Sequence, residues 1–115
     1  MSPKKKSKIP QEKLELYEKL IATMPSIDRK GDVHPYTSVN GHMFTYLDQT
    51  GTLGIRLPKH ELDSFLKKYK TNLFETYGVV KKDWVTVPDK LLKDTKSLKK
   101  YLEISFQYTK SLKPK

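Results

Sequence analysis

Apolar and polar positions divide this chain into a central stretch of strand-like alternation and flanking stretches of helical recurrence. The centre runs from Tyr36 to Leu57, YTSVNGHMFTYLDQTGTLGIRL, with two turn signals between three strand-forming runs. Asn40-Gly41 is the preferred pair for a two-residue type I′ hairpin, whose central positions both need positive φ. In HMFTYL a period of two sends Met43, Thr45 and Leu47 to one face and His42, Phe44 and Tyr46 to the other. Both sets are bulky, so this strand is expected to be central and covered on both sides. Asp48 to Gly51 forms a polar turn, and LGIRL returns with Leu53, Ile55 and Leu57 on one face. The prediction is a three-stranded antiparallel meander.

Helical spacing precedes and follows it. Leu14, Tyr17, Leu20, Ile21 and Met24 make one stripe from Gln11 to Met24, with Pro10 at its start and Pro25 as its stop. SIDRKGDVHP reads as a flexible loop. After Pro58, Leu62, Phe65, Leu66 and Tyr69 define a short second helix, with Glu61 and Asp63 near its start as dipole-complementing, capping charges. LFETY, a break at Gly78, and VVKKD with WVTV suggest two more short strands, with Asp83 near a bulge or tight connection. Trp84 is a core or sheet-face anchor. Lys90-Leu91-Leu92 is a brief helical turn, and Asp94 is the N-cap of a last helix ending near Ser111. On it Leu98, Tyr101, Leu102, Ser105 and Thr109 share a face. The fold class expected is therefore α+β: a curved antiparallel sheet of about five strands flanked by N-terminal, middle and C-terminal helices. Residues 1–9 read as a basic, mobile tail and residues 10–115 as a single domain.

At 115 residues one layered core suffices without staples. The absence of cysteine removes disulfides, thiolate metal sites and cysteine nucleophiles, and suits a reducing compartment. No apolar run reaches the roughly 18 residues of a spanning helix and none follows the basic N-terminus as in a signal peptide, so a cytoplasmic protein without membrane contact is expected. The formal charge of +10 favours an acidic partner or a polyanion. Lysine far exceeds arginine, and many lysines sit in the termini, which suits solvated charge better than a dedicated nucleic-acid face. If nucleic acid is bound, Lys4, Lys5, Lys6, Lys8 and Arg56 are the candidate contacts.

The three histidines, His34, His42 and His60, have no metal-ligand spacing, and DRKGD lacks the ligands of a calcium loop. No nucleophile elbow, GxGxxG or phosphate-binding loop occurs. No catalytic, cofactor or metal residue is therefore assigned. Tyr36, Tyr46, Tyr77, Tyr101 and Tyr108 interleave with lysines and suit either base stacking or core packing. A small-molecule pocket or an enzyme site between helix and sheet would need convergent polar groups near His42, Tyr46 or Asp83.

From about Gln11 onward the order of features resembles the TfoX/Sxy N-terminal domain family. It runs from an amphipathic helix through NGHMFTYL, a strand ending GIRLP, a short helix and WVTVPDKLLKD to a closing helix with SFQYTKSLKPK. A looser similarity to YjbR-type proteins lies in GHMF and WVTV. HPYTSV stands where family members commonly carry a glycine-rich lead. The resemblance implies an α+β fold with a curved antiparallel sheet and no catalytic residues to carry over. It also implies a regulatory role: TfoX governs DNA-uptake competence with a cyclic-AMP-responsive activator, usually through a second domain as well. The expectation is a non-enzymatic regulatory or interaction module with a protein partner and a link to transcription, and direct nucleic-acid binding is the alternative.

Overall fold

The computed structural model describes residues 9–31, 34–76 and 78–114. In chain order these form α1 (Gln11–Ala22), β1 (Tyr36–Val39), β2 (His42–Leu47), β3 (Leu53–Arg56), α2 (Lys59–Tyr69), β4 (Leu73–Thr76), β5 (Val79–Val87), α3 (Asp89–Leu92) and α4 (Thr95–Lys110). The strands make one antiparallel sheet in the order β1-β2-β3-β5-β4, and the sheet is open rather than closed into a barrel. The expected α+β architecture is the observed one.

The meander turns where its residues require it. Asn40 and Gly41 both have positive φ, 56° and 82°, as a type I′ hairpin demands. At the next corner the Asp48 carboxylate accepts from the backbone N–H groups of Thr50 and Thr52, and Gly51 takes a φ of 88°. Two irregularities interrupt the ladders. Thr37 pairs with Thr45 and Ser38 with Met43, which leaves Phe44 as an extra residue on β2. Leu73 pairs with Val85 and Glu75 with Val80, so Lys81, Lys82, Asp83 and Trp84 stand opposite Phe74 alone. Such bulges bend a strand and re-aim its side chains.

The first bulge overturns the expected faces of β2. Phe44 joins Leu47 in the core beneath the helices and packs against Phe106 of α4, with ring centroids 5.7 Å apart. Thr45, beside it in sequence, also faces the helices and meets the Tyr17 hydroxyl at 2.8 Å. Met43 and Tyr46 lie on the opposite face. That face carries a small second cluster of Tyr46, Phe74 and Trp84 with Tyr36 against it, and no side chain from the described helices joins it. β2 is therefore interior to the sheet but roofed by helices on one side only.

All four described helices contribute to the main core. Tyr17, Leu20 and Ile21 of α1, Leu62 and Phe65 of α2, and Leu91 and Leu92 of α3 meet Leu98, Tyr101 and Leu102 of α4 over Leu53, Ile55, Val85 and Val87. The buried residues of α4 are Leu98, Tyr101, Leu102, Ser105 and Thr109, the face expected from their spacing, and Asp94 caps the helix by accepting from Ser97 N–H. α1 stops at Ala22 rather than Met24 because Thr23 closes it, its hydroxyl donating to the Leu20 carbonyl. No side chain caps α2: Glu61 sits in its first turn, and Asp63 pairs with Lys59 instead. Ile9, at the end of the expected mobile tail, is buried in the core, and residues 1–8 lie outside the described residues. The loop after α1 is anchored by buried Ile27, by the Arg29–Glu18 ion pair and by paired backbone hydrogen bonds between Lys30 and Tyr36.

Candidate functional site

β3 is short because Pro58 follows it closely and cannot donate to a ladder. Its pairing with β2 involves Thr45, Tyr46 and Leu47, and its pairing with β5 begins at Trp84. The starts of β2 and β5 therefore run on past the end of β3. Between these two hairpins, on the face away from the helices, lies a groove of about 520 Å³. That volume suits one or two side chains or a small ligand.

The floor of the groove is aromatic. Phe74 stacks on Trp84 with centroids 6.0 Å apart and meets Tyr46 edge-on at 6.1 Å. His34 also stacks on Tyr46, at 6.0 Å, and approaches its hydroxyl through Nδ1 at 3.2 Å. The cluster closes tightly because Gly54 on β3 has no side chain, and Phe74 occupies the space. A glycine inside a strand is the one sequence sign of this close approach.

Arg56 forms the polar wall. By the alternation along β3 it lies on the same face as Gly54, opposite to Ile55 and Leu57. Its Nε donates to Asp83 Oδ2 at 2.7 Å and its Nη1 to the Met43 carbonyl at 3.2 Å. The guanidinium thus ties β2 and β5 together across the end of β3, and its orientation is fixed from two sides. Nη2 has no hydrogen-bond partner among the described residues. Lys81 and Thr76 border the groove on the β4–β5 side, and Gly41, His42 and Met43 on the other. His42 is itself held from outside, its Nε2 lying 2.8 Å from the Lys113 carbonyl.

Several candidates from the sequence meet here and others do not. His42, Tyr46 and Asp83 all border the groove, but on the open face of the sheet and not between helix and sheet. Arg56 is in the groove, whereas Lys4, Lys5, Lys6 and Lys8 lie outside the described residues. Of the tyrosines, Tyr101 is a core residue, Tyr46 and Tyr36 belong to the aromatic cluster, Tyr108 is half-buried on α4, and Tyr77 lies outside the described residues. Nothing in the sequence pattern marks Met43, Phe74 or Lys81 for this face, because the two bulges bring them there.

Among the described residues no group of three or more His, Cys, Asp or Glu side chains is arranged to hold a metal ion. No described helix is long and apolar enough to cross a membrane. Compared with protein-family models, curated proteins and solved structures, the chain matches none of them.

Proposed function

We propose that this chain is a non-enzymatic regulatory or interaction module, of the kind its likeness to the TfoX N-terminal domain implies, and that it engages a protein partner through the grooved face of its sheet. The observation that carries the reading is the make-up of that face. Tyr46, Trp84, Met43 and Arg56 surround one concavity, and these residue types are the ones enriched at the centres of protein interfaces. Met43, Val79 and Val80 are exposed large hydrophobic residues on the two hairpins that border it. A cytoplasmic setting and a role beside the transcription machinery belong to the same reading.

Photo-crosslinking tests it. A benzophenone amino acid at Met43 or Val80 is expected to yield a discrete protein adduct in lysate of the host, and one at Lys99 on α4 is not. No adduct from Met43 or Val80, or equal adducts from all three positions, would count against the reading.

Direct nucleic-acid binding is the second reading, favoured by the charge of +10. If the four tail lysines contact phosphates of a duplex, log affinity falls with log salt at a slope of about −3.6, and deleting residues 1–8 flattens it. A salt titration that detects no complex at low ionic strength removes it.

A further inference from the structure

The groove joins an aromatic floor to an oriented cation, and that combination narrows what it can hold. We infer that its occupant is an extended segment of a partner protein that directs an acidic side chain to Arg56 and Lys81 and rests an apolar side chain on Met43 and the outer edges of Tyr46 and Trp84. The inference rests on the reading of this face as the binding surface.

Charge is the first argument. Arg56, Lys81 and Asp83 are the Arg, Lys and Asp side chains among the residues lining the groove, and Asp83 is already engaged by Arg56 Nε. The incoming group therefore meets a net positive wall. A guanidinium held by a carboxylate on one side and the Met43 carbonyl on another has lost its rotational freedom before the ligand arrives. A carboxylate suits it because it accepts paired N–H donors in the plane of the fork.

Apolar surface is the second argument. Met43, 36% exposed, lines the groove on one hairpin, and Val79 and Val80, 54% and 50% exposed, lie beyond its lining on the other, where Val79 pairs with groove-lining Thr76. Apolar surface that continues past the lining favours a chain that runs on beyond the groove over a free small molecule.

The rings argue against a nucleic-acid strand in this place. Base stacking needs an open aromatic face. Tyr46 and Trp84 are only 8% and 7% exposed, and His34 and Phe74 already stack on them. What they offer is an apolar floor for an aliphatic or aromatic side chain.

Selection of displayed random dodecapeptides on the full chain tests the inference, with the Trp84 indole N–H signal reporting whether a selected peptide sits in the groove. The expected peptides carry Asp or Glu beside a large apolar residue. Exchanging that acid for its amide should weaken binding at least tenfold. Lys81→Glu, at an exposed position that leaves the core intact, should weaken the acidic peptide and not its amide counterpart; Arg56→Gln should act likewise where its amide spectrum remains that of the native fold. Peptides that move the Trp84 signal but carry no acid, or bind equally well as the amide, would overturn the inference and leave the face as a binding surface. A selection that yields no peptide acting at Trp84 would overturn both, and if a thymidine dodecamer moved that signal instead, the occupant would be a nucleic-acid strand.

Discussion

The ring of Phe74 on β4 reaches across β5 to Gly54 on β3, where a Cβ would come within 2.5 Å of its Cγ and Cδ2. The missing side chain on one strand is what lets the aromatic floor form. Gly54→Ala should therefore destabilise the fold by about 1–3 kcal/mol through overpacking. Urea unfolding measures this, and combining it with Phe74→Leu should recover part of the loss. Purely additive effects would mean that the two residues do not compete for the space.

A buried chain of hydroxyls ties α1 to the sheet. Tyr17 OH lies 2.8 Å from Thr45 Oγ1, which lies 2.7 Å from Thr37 Oγ1. Tyr17→Phe removes one end and leaves Thr45 paired, so it should cost about 1 kcal/mol. Thr45→Val removes the shared partner of two buried hydroxyls and should cost about 2 kcal/mol or more. The ordering of the two variants in denaturant melts is the readout.

Alkaline stability follows from the same burial. Burial holds the Tyr17 hydroxyl well above its ordinary value and pushes Tyr101 up to about 12, against the ordinary 10.0. Both are neutral in the fold and ionise more easily in the unfolded chain. Their contribution is complete below pH 10 and is lost as pH rises from about 10 towards 12. Absorbance of tyrosinate should accordingly rise in two stages, the second coinciding with loss of circular dichroism.

Asp94 works in the opposite direction. Hydrogen bonds from the Ser97 hydroxyl and N–H hold its carboxyl below the ordinary value of 3.8. The stability it adds is present above that value and fades as pH falls through its lowered folded value. Asp94→Ala should lower the melting temperature at pH 7 and weaken amide protection at Ser97, whereas Asp94→Asn should retain most of the cap.

Periodicity carries the frame of this fold. The spacing of Leu98, Tyr101, Leu102, Ser105 and Thr109 matches the buried face of α4 residue for residue, and Asn40-Gly41 marks the hairpin. The groove is harder to read because it depends on where periodicity breaks. One inserted residue at Phe44 reverses which neighbours share a face, and alternation along HMFTYL contains no sign of it. The second bulge is partly visible at Asp83, yet its size, four residues against one, depends on pairing with a distant strand. His42, Tyr46 and Asp83 do converge, but on the open face of the sheet and not between helix and sheet, because alternation along β2 does not say which face the helices leave uncovered.

Trp84 is the one tryptophan in the chain and lies in the groove, so its emission reports on this site alone. Titration with the tightest selected peptide, followed both by Trp84 fluorescence and by anisotropy of a dye on the peptide, is the most direct test of where binding occurs. The two signals should saturate together, with affinity at least tenfold weaker for Lys81→Glu and unchanged for Lys99→Glu on α4. Saturating anisotropy with no change at Trp84, or equal losses from the two lysine variants, would contradict the assignment of this face as the binding surface.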